Sequence, residues 1–402
     1  MRNYSRITPE GTKDILFEEC RARRETERRL ASVFSRRGYH EVLTPGIEFY
    51  DLFRLPGAAI PQEDMYKTTD NNGRLVVLRP DSTLPIARMA AARLPGREGP
   101  LRLFYNQTVY RNCPDLSGHS TELPQMGVEL LGADGLRADL EIISLAVQAL
   151  ASCCGQFRLE IGHARIFSRL ADRLPISEEE KEQIRDRIES KNYAALDVLL
   201  SGFEPCREVE ALKRLPSLFG GEEALRAAEE FCDDEQTAAM LGEVRRLYTA
   251  LADFGLGDRI IVDLGLVHRV DYYTGPVFSA YVEESGDAVL SGGRYDALLA
   301  KFGRPMPAMG FCIDTSVLAQ ILLKHRDFPQ EPQEILIVHS EPGYEIEGQK
   351  TVDFHNRQGH ICESSVYETL EETLAYARRV HAAKVLVTGP NPSEISLREE
   401  QA

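Results

Sequence analysis

Two glycine-punctuated stretches that follow closely in the chain constrain the fold most: GLVHRVDYYTGPVF at residues 265–278 and SGGRYDALLAKFG at residues 291–303. Val270, Tyr272 and Phe278 carry strand-forming side chains, Thr274-Gly275-Pro276 punctuates them, and Gly292-Gly293 lets a second backbone run close by. The expectation is two strands meeting over a glycine floor, which makes a pocket wall. Side chains alternate across a strand, so Tyr272 and Tyr273 are expected to face opposite ways, Tyr273 presenting its hydroxyl to a polar ligand and Tyr272 packing. An ordinary tyrosine-rich antiparallel sheet accounts for the same residues.

A chain of 402 residues exceeds one ordinary compact core, so more than one domain is expected. With 47 Lys+Arg against 63 Asp+Glu the formal charge is −16, which disfavours non-specific attraction to nucleic acid or an anionic membrane. No apolar run is long enough to span a bilayer and the start, MRNYSRITPEGTKD, lacks a signal-peptide core, so a cytoplasmic protein is expected. The eight cysteines are scattered without a CxxC pair, which indicates neither a zinc site nor a disulfide framework, and no metal or cofactor is expected.

Taken in order, residues 8–14 (TPEGTKD) read as a turn cluster ending in a helix cap at Asp14. An amphipathic helix to about Arg37 follows, burying Leu30, Val33 and Phe34. Residues 39–44 (YHEVLT) and 75–78 (LVVL) read as strands. The second runs into Arg79-Pro80-Asp81-Ser82-Thr83 ahead of a helix, where Asp81 is either an N-cap or a functional group. Residues 101–111 and 125–131 form a strand pair. On the returning strand Gln125, Gly127 and Glu129 share one face and Val128 and Leu130 the other. A carboxylate and an amide buried without partners cost several kcal/mol each, so that face must meet solvent or a polar, cationic ligand. A helix is expected over 139–154, and a polar helical insertion at about 165–255 splits the sheet. A Pro/Glu/Gln linker at 328–333 then precedes a small unit, 334–402, reading strand, helix, strand, helix, strand with parallel strands. Residues 331–402 hold 6 Lys+Arg and 13 Asp+Glu, a poor surface for RNA.

With these pieces placed, residues 8–323 resemble the catalytic core of histidyl-tRNA synthetase. The carrying stretches, in order, are GTKDIL, RGYHEVLTP, LRPDST, FYNQTVYR, QMGVELLG, VDYYTGPVF, GGRYDALL and GFCID. The resemblance implies an α+β class II aminoacyl-tRNA synthetase-like antiparallel sheet flanked by helices over 1–327, with the helical insertion, and a trimmed anticodon-binding-like domain at 334–402. It also implies a histidine-binding set: Asp81, Thr83, Arg111, Gln125, Glu129, Tyr272 and Tyr273. Carboxylates can meet an α-ammonium or imidazole N–H, and a tyrosine hydroxyl the other ring nitrogen.

The half of the family pattern that serves ATP is missing. Arg111 matches, but Asn112-Cys113 replaces the following x-Glu, and His119 and Thr121 stand where arginines are expected. His268, with Arg269 beside it, takes the place of another, and Val317 the place of the motif-three arginine. Each lost charge-assisted phosphate contact costs about 1.5 to 3 kcal/mol, so no adenylation site, and no catalytic residue, is expected. A site that keeps its amino-acid half alone is similar to a non-synthetase relative, the regulatory subunit family of ATP phosphoribosyltransferase. That resemblance implies a chain without activity of its own. It would join short-form catalytic subunits in a hetero-octamer, pair with itself through the segment 39–45, and bring feedback inhibition by L-histidine as effector. Two other readings stay open here: a divergent histidyl-tRNA synthetase, which histidine-dependent pyrophosphate exchange would reveal, and a synthetase paralogue that binds another partner.

Overall fold

The structure is a computed structural model that describes residues 4–97, 99–112, 120–231, 234–267, 272–329 and 334–397. Cys113, His119, His268 and Arg269, all singled out above, lie outside the described residues. The chain divides into two units, Met1–Phe328 and Pro329–Ala402.

The first unit's first α-helix is α1 (Phe17–Arg36), which buries Leu30 and Phe34 one turn apart, while the buried Glu25 binds Arg28 and Arg29. Asp14 does not cap it. The N-cap is Leu16, without a side-chain bond, because Phe17 sits at φ 44° and the helix starts only beyond that turn. The strand expected at 39–44 shrinks to β1 (His40–Glu41). Its continuation is claimed by a side chain: the buried Arg79 guanidinium donates to Thr44 O and Pro45 O at 2.8 Å and to Thr108 O at 2.7 Å. A small sheet follows, β2 (Ile47–Phe49), β3 (Lys67–Thr69) and β4 (Leu75–Leu78), then α2 (Thr83–Arg93).

The main sheet continues with β5 (Leu101–Tyr110), β6 (Glu122–Leu131), α3 (Leu136–Ala151) and β7 (Arg158–His163). Six helices then intervene, α4 (Ala164–Ala171), α5 (Glu178–Glu189), α6 (Tyr193–Leu200), α7 (Arg207–Arg214), α8 (Glu222–Glu229) and α9 (Glu235–Leu251), with a two-residue strand, β8 (Phe219–Gly220), before α8. The sheet resumes in β9 (Ile260–Asp263), β10 (Pro276–Tyr281), β11 (Leu290–Arg294) and β12 (Ala308–Asp314), ahead of α10 (Thr315–His325). The strand order is β1-β5-β6-β12-β11-β10-β7-β9-β8. It is antiparallel except for β1 with β5 and β7 with β9. Parallel neighbours cannot be joined by a tight turn, and the helical insertion is the crossover that β7 and β9 require.

Register sorts the sheet into two faces. Phe104, Val128, Phe311, Phe278 and Ile161 lie in one row across five strands and bury against α1, α3 and α9. The next row, on the opposite face, reads Leu103, Glu129, Gly310, Gly293, Val277 and Gly162. The two faces therefore differ in kind: one is an apolar core, the other a glycine-floored hollow.

The second unit holds β13 (Ile335–Ser340), α11 (Glu345–Arg357), β14 (Ile361–Ser364), α12 (Leu370–Arg379), β15 (Lys384–Thr388) and β16 (Ser393–Ser396). The order is β14-β13-β15-β16, parallel as the alternation of strands and helices implied. β16 adds an antiparallel edge that its polar sequence, SEIS, did not announce.

Arg294, 5% exposed, ties β11 to α3 through Asp139 (2.5 Å) and to Asp296 (3.1 Å). Replacing one partner of a buried ion pair strands the other charge. Arg294→Met is expected to lower stability by about 3 to 5 kcal/mol in urea denaturation, and Arg294→Met/Asp139→Leu to recover most of the loss.

Candidate functional site

The polar row of the sheet, the Arg79–Thr83 loop and the residues around Tyr272 enclose a cavity of about 460 Å³. Asp81, Thr83, Arg111, Gln125, Glu129, Tyr272 and Tyr273, all seven residues expected from the sequence, line it. The floor exists because of glycine. A Cβ on Gly310 would collide with Glu129 Oε2 and the Val128 carbonyl, and one on Gly127 would sit 2.5 Å from the Tyr105 hydroxyl.

Glu129 is 1% exposed. Its carboxyl accepts from Thr83 Oγ1 at 2.7 Å and, through Oε2, from the Tyr295 hydroxyl. Among the described residues it has no cationic partner within ion-pair distance. Burial therefore dominates and pushes its pKa up to about 8, with the Asp81 charge adding to the rise and the two hydroxyl donors opposing it. Asp81 is raised as well, by burial first, against the Leu84 N–H and the Arg111 charge. Its Oδ1 accepts from Leu84 N at 2.8 Å at the start of α2, although the N-cap residue itself is Ser82. Asp81 thus bonds the first turn of α2 and lines the cavity with the same side chain.

Arg111 donates from Nε to Pro80 O at 3.1 Å and makes no ion pair with Glu129 or Asp81 among the described residues. It is the one cation among the lining residues, against Asp81, Glu129, Glu189, Asp287 and Asp314. Acidic side chains therefore outnumber basic ones around the cavity.

The alternation argument for the tyrosine pair fails. The strand starts only at Pro276, so Tyr272 and Tyr273 lie in irregular chain before it and both rings line the cavity, their centroids 5.1 Å apart. Tyr272 also packs edge-on against Tyr295 (5.6 Å) and is 9% exposed, while Tyr273 lies over Gly293, where a Cβ would be 2.8 Å from its ring. Sequence reasoning missed Tyr295, Tyr105, Cys312 and, from the insertion, Glu189. Tyr295 sits in the quoted GGRYD stretch, and its spacing from Gly293 was the available signal. Cys312 is held as the thiol, burial pushing its pKa up to about 12.

A second cavity of about 530 Å³ shares Leu123, Asp287 and Asp314 with the first and reaches Val317 on α10. Its two basic lining residues are engaged, Lys13 by Glu19 and Arg23 by Glu27 at 3.2 Å. Thr121, at a position where an arginine was expected, instead holds the N-terminal segment: its N–H donates to Gly11 O at 2.8 Å. No cluster of three potential metal ligands occurs among the described residues, and no described helix is long and apolar enough to cross a membrane.

A family profile described as histidyl-tRNA synthetase matches residues 11–318. The ATP phosphoribosyltransferase regulatory subunit of Clostridium kluyveri is 37% identical over 381 residues, 94% of this chain and 97% of that one. The chain belongs to the ATP phosphoribosyltransferase regulatory subunit family. The regulatory subunit of Bacillus cereus is 36% identical over 384 residues, 94% of this chain and 91% of that one. A crystal structure of an ATP phosphoribosyltransferase regulatory subunit/histidyl-tRNA synthetase from Bacillus halodurans C is 28% identical. It covers 97% of this chain and 100% of its own, with a TM-score of 0.82. The fold is thus the histidyl-tRNA synthetase-like class II fold, and this member of the family is a regulatory subunit of an enzyme complex rather than the enzyme.

The raised Glu129 pKa has a consequence for the regulatory subunit itself. The folded chain keeps a proton on Glu129 up to about 8 that an unfolded glutamate releases near 4.5, so stability falls as pH rises through that window. Glu129→Gln removes the cost of ionising this buried group. Its thermal midpoint is expected to exceed that of the parent at pH 8.5 and to match it at pH 4.5, measured by calorimetry.

Proposed function

We propose that the Glu129 cavity receives L-histidine as effector, and that its occupancy inhibits the short-form ATP phosphoribosyltransferase catalytic subunit to which this chain binds. The carrying observation is the convergence of Asp81, Thr83, Arg111, Gln125, Glu129, Tyr272 and Tyr273 on one acidic cavity of about 460 Å³, inside the usual range for small-molecule sites. In this reading the imidazole lies between Tyr273 and Glu129, the ammonium meets Asp81, Thr83 and Gln125, and the α-carboxylate meets Arg111. Inhibition needs only that histidine bind the inhibited state of the complex more tightly than the active one. A difference of about 1 to 3 kcal/mol gives roughly 5- to 150-fold control. The complex is a cytoplasmic hetero-octamer, with no nucleic acid or membrane as partner.

The exposed face of the small sheet supports pairing of two copies within that assembly. Leu43 (71% exposed), Ile47 (53%) and Phe49 (47%) present apolar side chains next to one another in sequence, with Leu75 on the paired strand. Leu43→Glu/Phe49→Glu is expected to convert a sedimenting dimer to a monomer with unchanged circular dichroism.

Reconstitution tests the proposal. Adding this chain to the purified short catalytic subunit is expected to raise ATP phosphoribosyltransferase turnover and make it histidine-sensitive, and Glu129→Ala to keep the activation while weakening inhibition about 10- to 100-fold. Turnover indifferent to the added chain would refute the assignment. Inhibition should also be bell-shaped in pH. The bound pair holds one proton between imidazole and Glu129. Above pH 8 Glu129 has lost that proton, and below the free imidazole value of about 6.5 both partners carry one, so inhibition is strongest between.

A further inference from the structure

A basic notch of about 600 Å³ lies on the helix-covered side of the sheet, opposite the Glu129 cavity. Three guanidiniums line it: Arg37 after α1, Arg102 on β5 and Arg137 in the first turn of α3. Arg102 is fixed by a two-pronged bond to Glu141 (2.7 and 2.8 Å), and Glu141 in turn accepts from the buried Tyr39 hydroxyl at 3.0 Å. Glu141 also feels the charge of Arg37, so one carboxylate faces three guanidiniums. Arg37 donates to the uncharged Ser144 hydroxyl at 3.0 Å, and Arg137 has no hydrogen bond or ion pair among the described residues. Arg137 also stands at the positive end of α3, the wrong end for a cation's effect on helix stability.

The aromatic part of the notch is equally unusual. Phe254 is 62% exposed and is carried on a π-turn, residues 252–256, in which Gly255 adopts φ 89°. Such turns cluster at functional positions because they displace a side chain from the helix ridge. In a chain of net charge −16, a concave site with surplus guanidiniums and an open aromatic face suits a ligand that combines anionic groups with a planar ring.

We propose that this notch binds a nucleoside polyphosphate, its phosphates on Arg37 and Arg137 beside the fixed Arg102 and its base against Phe254. The site is separate from the effector cavity and does not depend on the histidine reading.

Calorimetric titration of the full chain with ATP, and separately with inorganic pyrophosphate, both free of divalent metal, tests this. ATP is expected to bind one site per chain. Arg37→Ala/Arg137→Ala should weaken ATP and pyrophosphate at least tenfold, whereas Phe254→Ala should weaken ATP several-fold and leave pyrophosphate unchanged. Circular dichroism and thermal melting confirm that each variant folds. Arg111→Ala, across the sheet, should leave the ATP affinity as it was. The proposal is overturned if neither ligand binds at millimolar concentration, or if Arg111→Ala abolishes ATP binding while Arg37→Ala/Arg137→Ala does not. It also fails as a nucleotide site if pyrophosphate binds as tightly as ATP and Phe254→Ala changes neither.

Discussion

A glutamate carboxyl buried on the face of a β-sheet, with no ion-pair partner among the described residues, is the constraint from which the rest of this structure follows. In water Glu129 would ionise well below neutrality; here burial holds its proton up to about 8. Two hydroxyls, from Thr83 and Tyr295, satisfy the carboxyl oxygens without supplying charge. A group so arranged is expensive to ionise in the unliganded chain and ready to do so when a cation arrives. In the proposed reading that makes it a binding device, and its cost in stability is the expected companion of function.

Everything around Glu129 serves to keep that carboxyl dry and reachable. Glycine at 127, 293 and 310 removes the side chains that would fill the hollow, and close contacts at each position show that alanine could not be accommodated without a shift. The Arg79 guanidinium, bonded to three carbonyls on two neighbouring segments, fixes the loop that presents Asp81 and Thr83. On the far face the aromatic and aliphatic row against α1, α3 and α9 makes the sheet rigid enough to hold these positions. Beyond Arg111, the basic residues lining the neighbouring cavity are already bound to glutamates, and Val317 contributes only an apolar surface there.

Much of this was legible in the sequence because it rests on period and punctuation. The two-residue repeat of Gln125, Gly127 and Glu129 announced a polar face, and register places these residues on the side away from the core. Paired glycines at 292–293 announced the floor. What escaped depended on contacts between segments distant in sequence. Asp14 looked like a cap, but the backbone at Phe17 delays the helix. The strand at 39–44 looked continuous, but a side chain from residue 79 takes its carbonyls. Tyr272 and Tyr273 were read by strand alternation, but they precede the strand in irregular chain, whose backbone carries no such rule, and both line the cavity. Tyr295 was missed because its spacing from Gly293 signals a shared face but not which carboxylate its hydroxyl will meet.

The central claim, that a carboxylate buried for this purpose grips a free amino acid, is tested most directly by titrating histidine into the isolated chain in a calorimeter. One site per chain, with an affinity that Glu129→Ala weakens by at least tenfold, is the predicted result. Absence of any saturable heat at millimolar histidine, in a chain that melts cooperatively, would contradict it.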